Sequence, residues 1–75
     1  MKELTLFVVK KLVDKPEAVT IDESQDGDVS VLRLVVDESD KGKVIGKQGK
    51  VIKAIRAVVG AAAAKTGKQV DVEID

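Results

Sequence analysis

Gly46-Lys47-Gln48-Gly49-Lys50 is the stretch whose residue types and spacing suit chemistry with an anion. Val44-Ile45 leads into the first glycine, and Val51, Ile52 and Ile55 begin an apolar helical spacing directly after the second. Glycine reaches backbone angles that other residues avoid and leaves main-chain amides uncovered. A helix starting on such a bare loop offers unpaired N–H groups and the positive end of its dipole. Lys47 and Lys50 add full charge at the same place, so the pattern predicts a phosphate site. Two other phosphate motifs fit worse. Gly42-Lys43-Val44-Ile45-Gly46-Lys47-Gln48 has one residue too few between its glycines for a Walker A loop, and Gln48 stands where a hydroxyl should bind magnesium. The dinucleotide pattern GxGxxG fails because no glycine lies two positions before Gly46.

The run Val44-Ile45-Gly46-Lys47-Gln48-Gly49-Lys50-Val51-Ile52-Lys53-Ala54-Ile55 resembles the signature of KH domains, whose GxxG loop clamps the backbone of about four nucleotides. The motif covers Gly42 to Ile55, and the order of elements set out below extends the resemblance over the whole chain. The arrangement resembles that of the small bacterial single-KH proteins of the KhpA type. This resemblance implies single-stranded RNA as the partner. Gly46, Lys47, Gln48 and Gly49 would meet its phosphates, inside a positive field from Lys43, Lys50 and Lys53. Ile45 and Ile52 would form an apolar floor under the bases, with backbone groups near Gln69 to Asp71 as the far wall. The bland alternatives are that the isoleucines are core and the lysines merely solvated.

The resemblance further implies a homodimer, association with a larger KH-family RNA-binding protein and an RNA-chaperone or regulatory role, and the absence of cysteine fits a reducing, cytoplasmic setting. The resemblance implies no cofactor, no metal and no catalysis. The chain departs from the pattern at Lys41, where KH domains usually carry an apolar residue, often behind a proline. A rival reading keeps the KH shape but makes the chain a protein–protein dimerisation module with little RNA affinity of its own.

Composition narrows the remaining classes. Seventy-five residues make one small domain, 1–75, burying only about 60–65% of its unfolded surface. Without cysteine or histidine, disulfides, thiol chemistry and the usual zinc sites are excluded. The thirteen carboxylates stand beside no second catalytic group on a recognisable scaffold, so the chain does not read as an enzyme. No apolar run approaches the roughly 20 residues of a membrane helix, and charges interrupt the opening residues where a signal peptide would be apolar. Net charge is zero, but its distribution is uneven. Residues 41–70 hold eight Lys or Arg and no carboxylate, a charge of +8, and the other positions hold five basic and thirteen acidic residues, a charge of −8. That segregation predicts one positive and one negative side. Phe7 is the only aromatic residue, so stacking of bases on rings is excluded as the main mode of binding.

The elements that must position the loop follow from periodicity. Residues 2–14 read as an amphipathic helix with Leu4, Phe7, Val8 and Leu12 on one stripe, widened by Leu6, Val9 and Val13. The excess apolar surface is either buried on the sheet or left for a partner. Pro16 forces Lys15 out of helical geometry. Residues 18–23 alternate as a half-buried strand, Asp26-Gly27 is a turn pair, and Val29 to Val36, apolar on much of both faces, reads as the central strand. Asp22, Glu23, Asp26 and Asp28 read as a solvated tip too short to wrap a calcium ion.

Asp37, Ser39 or Asp40 caps a short helix to Ile45. From Lys50 to Ala64 a second helix places Val51, Ile55, Val58 and Ala62 on its apolar stripe, extended by Ile52 and Val59, with Lys50, Lys53 and Arg56 opposite. Gly60 inside it marks either a close crossing or simple tolerance. Gln69 to Ile74 supplies a last strand with Val70, Val72 and Ile74 inward. The resulting class is α+β in the order α-β-β-α-α-β. The crossover rule makes the last strand parallel to the central one. This order matches the type II KH fold, with helices packed on one face of a three-stranded mixed sheet.

Overall fold

Apolar residues spaced three and four apart begin the chain, and in a computed structural model that describes all residues from Met1 to Asp75 they form helix α1 (Lys2–Leu12). Strand β1 (Thr20–Asp26) and strand β2 (Val29–Val35) follow as an antiparallel hairpin. Helix α2 (Lys41–Ile45), helix α3 (Lys50–Ala64) and strand β3 (Gln69–Ile74) complete the order. The sheet runs β1-β2-β3, so the β-branched run of β2 is central as expected. Strand β3 pairs with it in parallel, with Leu32 opposite Val72 and Leu34 opposite Ile74.

Side chains alternate across the sheet, so Leu32, Leu34 and Val72 face one way with Ile21. Val9, Val44, Ile52, Ile55 and Val59 from the three helices close over that face as one core. The other face carries Val29, Val31, Arg33 and Val35 with no element above it. There Arg33 lies 3.8 Å from Glu73, its cross-strand partner.

Helix α1 is rotated relative to the apolar stripe expected from Leu4, Phe7, Val8 and Leu12. Thr5 and Val9 are its buried residues, while Phe7 is 63% exposed beneath the Lys11 ammonium. A local hydrogen bond permits this burial. The Thr5 hydroxyl donates to the Met1 carbonyl, which satisfies its polar atom within the helix and frees its methyl for the core. The helix also ends at Leu12, two residues earlier than its period suggests, because Val13 is already extended ahead of Pro16.

Strand β1 is longer than its apolar residues. Asp22, Glu23 and Asp26 pair with Arg33, Leu32 and Val29, so only Gly27 and Asp28 form the tip. Pairing with the strongly β-prone β2 recruits these polar residues, which stay exposed. Gly27, at φ +61°, takes the first loop position, where a two-residue hairpin of type II′ places glycine.

Helix α3 starts and ends as expected, but its buried stripe is Ile52, Ile55, Val59 and Ala63. Val58, placed on that stripe by spacing alone, is 53% exposed. Any two of these overlapping sets share one helix face within a fraction of a turn, and contact with the sheet selects among them. Past the helix, Gly67 at φ +74° lets the Lys68 amide reach back to the Ala63 carbonyl and close the end.

Gly60 faces open space, with no atom within 4 Å of where a Cβ would sit. The close-crossing explanation is therefore set aside in favour of tolerance. Gly60→Ala is expected to stabilise the fold by about 0.5–1 kcal/mol in urea denaturation. Ile55→Ala, at a fully packed position, should lose about 2–5 kcal/mol in the same measurement. Destabilisation by the first change would reinstate the close crossing.

Candidate nucleic-acid interface

The loop between α2 and α3 is a chain of unusual backbone angles. Gly46 leaves α2 at φ +76° and ψ 173°, with its amide bonded to the Gly42 carbonyl. Gln48 and Gly49 are both left-handed, at φ +56° and +74°, and the Lys50 amide bonds back to the Lys47 carbonyl across them. Two left-handed central residues closed by that bond make a mirror-image turn of type I′. No side chain caps the start of α3, which begins directly on it.

The two glycines are needed for different reasons. A Cβ on Gly46 would lie 2.4 Å from Val51 Cγ2 and 2.8 Å from the Val51 amide nitrogen, so α2 and α3 could not meet as they do. A Cβ on Gly49 would meet only Ile52 Cγ2, at 3.9 Å; there the positive φ is the requirement. Gln48 takes the same left-handed region with a full side chain, at a cost of about 1–2 kcal/mol. Such strain persists where the surrounding structure imposes it, and it gathers at binding sites.

Lys47, Gln48, Lys50 and Lys53 are exposed around this turn. None of the three ammonium groups has a carboxylate within 4.0 Å. The loop thus combines an uncapped helix start, bare glycine backbone and uncompensated positive charge, which suits phosphate oxygens. Lys43 is placed differently. Its ammonium donates to the Asp14 carboxylate at the end of α1 and lies 4.0 Å from Asp40. The hydrogen bond to Asp14 raises the Lys43 pKa above the ordinary lysine value. Of the two isoleucines, Ile45 is half-buried against the core and Ile52 is only 6% exposed within it, so any floor they offer is a narrow margin.

Periodicity alone did not single out Asp40. Its carboxylate, 1% exposed, accepts the amides of Asp14 at 3.2 Å and Lys15 at 3.0 Å. Pro16 prevents those amides from finding helical partners, which was the one available signal. Asp37 caps the 3-10 turn ahead of α2. The hydroxyl of Ser39, and then its amide, hold the Asp37 carboxyl below its ordinary pKa. Basic residues of α3 and its loop lie on the helical side, while Asp22, Asp71 and Glu73 share the uncovered sheet face with Arg33. Asp14, Glu38 and Asp40 lie among the helices, beside Lys43 and Lys41, so the charge segregation is only partly spatial.

Residues 2–74 match the family model described as KhpA/KhpB, KH domain. The chain is 54% identical over 74 residues to the RNA-binding protein KhpA of Clostridium perfringens, covering 99% of each. It is 44% identical over 72 residues to the protein of the same name from Borreliella burgdorferi, covering 96% of this chain and 88% of that one. A similar fold occurs in Era solved in complex with MgGDPNP and nucleotides 1506–1542 of 16S ribosomal RNA, with a TM-score of 0.67 at 20% identity. That likeness covers 97% of this chain but 28% of Era.

The different demands on the two glycines are separable. Gly46→Ala should destabilise by about 2–4 kcal/mol, since clash and backbone strain add. Gly49→Ala should lose only about 1–2 kcal/mol. Equal losses in urea denaturation would contradict the steric role of Val51.

Proposed function

This chain belongs to the KhpA/KhpB family of KH domains, and from that membership we propose that it binds single-stranded RNA by clamping the phosphate backbone on its GxxG loop. The observation that carries the proposal is the type I′ turn at Gln48-Gly49, set between three unpaired lysines at the uncapped start of α3. Lys47 and Gln48 reach phosphate oxygens, and Lys50 and Lys53 extend the field along the helix. Lys43 contributes less, because Asp14 already balances it. The exposed margins of Ile45 and Ile52 touch the bases.

With no ring to stack upon, binding is mainly electrostatic and discriminates little among bases. A nonselective clamp of this kind suits an RNA chaperone or a post-transcriptional regulator in the cytoplasm. The matched relatives are named as RNA-binding proteins rather than enzymes. No helix is long and apolar enough to cross a membrane.

A second reading concerns assembly, and one feature favours it. Val58 is 53% exposed on α3, beside the exposed Ala54, Ala57 and Ala61. Small residues around one large apolar side chain allow close approach of a matching helix, so a second copy of the chain, or a larger KH-family protein, packs there. Both readings hold together, since Val58 is not one of the loop residues. Sedimentation of the chain should show a dimer that Val58→Lys converts to a monomer; a parent chain that sediments as a monomer at all concentrations would refute self-association.

For RNA binding, neutralising about three phosphates gives a log–log salt slope near −2 on single strands. Replacing Lys47 and Gln48 together by aspartate should abolish binding with little change in thermal unfolding, because aspartate accepts the left-handed region at least as well as glutamine. A slope near zero, or unchanged affinity in the folded variant, would refute the clamp.

A further inference from the structure

Strand β3 is an edge strand, paired only with β2. The Asp75 amide bonds to the Leu34 carbonyl, so odd-numbered residues at this end of the strand turn their backbone groups toward β2. Even-numbered residues turn theirs outward, and at Val72, the middle one, both outward groups are occupied. The Val72 carbonyl accepts Arg56 Nε at 2.7 Å, from across the junction of α3 and β3. The Val72 amide donates to Asp71 Oδ1 at 2.9 Å. Arg56 has no carboxylate within 4.0 Å, and neither has Asp71 a basic partner. Each side chain is therefore engaged with the strand edge rather than with an opposite charge.

An outward N–H beside an outward C=O is a donor–acceptor pair that can read the edge of a base. Cytosine presents an amino donor beside a ring acceptor. Uracil presents its ring N–H between two carbonyls, so the order is reversed at the C4 end of its edge and matches only one position further along. A backbone pair fixed both in direction and in distance from the clamped phosphates therefore separates the two.

We infer that Arg56 and Asp71 form a latch that closes the base-reading groups of Val72, so that RNA is held by its phosphates with the edge of β3 silent. This inference rests on the clamp proposed above and assigns the low base discrimination a structural cause beyond the absence of rings. An adding strand would likewise first have to displace both side chains.

The test uses the double variant Arg56→Met, Asp71→Ala, which keeps the net charge of the full chain. Affinities for oligo(C) and oligo(U) of eight nucleotides are measured for parent and variant at low salt. The parent should bind the two within about threefold, and the variant should separate them by about tenfold or more, the scale of one well-made pair of hydrogen bonds. The same ratio in both proteins, or a tenfold preference already in the parent, would overturn the latch. Failure of the parent to bind either oligonucleotide would instead overturn the clamp itself. A second measurement needs no RNA: hydrogen exchange at the Val72 amide should speed up about tenfold in Asp71→Ala. Equal exchange in parent and variant would overturn the latch even with RNA binding intact.

Discussion

Gly46 and Val51 approach so closely that no side chain fits between them, and the path of the loop follows from that contact. Because the Val51 side chain and amide fill the space a Cβ would take, α2 ends against the first turn of α3. The chain must then reverse within Lys47 to Gly49, and it does so with two left-handed residues in succession. The reversal puts left-handed Gly49 at the N-cap of α3, so no side chain stands there to cap it. The uncapped helix start thus follows from the same steric constraint.

A second constraint holds the opposite end of this unit. Asp40 is the only buried charged side chain, and its partners are main-chain amides from the segment that Pro16 prevents from being helical. A buried carboxylate left without those amides would be strongly unfavourable. The contact therefore ties the end of α1 to the start of α2, and through it the loop keeps its position over the sheet. Lys43 belongs to this tie as much as to the positive surface around the loop, since its ammonium joins Asp14 and Asp40. Of Lys43, Lys47, Lys50 and Lys53 it is the one with a carboxylate within 4.0 Å.

The electrostatic layout has a mechanical complement. The uncovered face of the sheet carries Asp22, Asp71 and Glu73, which repel a polyanion, while the unpaired cations lie around the turn and along α3. Uncompensated positive charge is thereby gathered on the helical side. Between the two faces, the edge of β3 is occupied at Val72 by Arg56 from the helical side and by Asp71 from the sheet side, so the strand offers few free groups at its middle.

The bare sequence determined the order of the elements, the central place of β2, the limits of α3 and β3, and the glycine-bracketed turn. Each rests on information local to a few residues: a period of two or of 3.6, a helix breaker, or a glycine pair with lysines between. What the sequence did not determine is which member of a wide apolar face points inward. Spacing favoured Phe7 and Val58, yet Thr5 and Ala63 are buried, because rotation of a helix by part of a turn is decided by the surface it meets. Nor did it reveal the ties of Asp40 to Asp14 and Lys15, or of Arg56 to Val72, whose partners lie 16 to 26 positions away. Contacts between residues so distant along the chain exist only once the helices have closed on the sheet, so tertiary structure alone decided them.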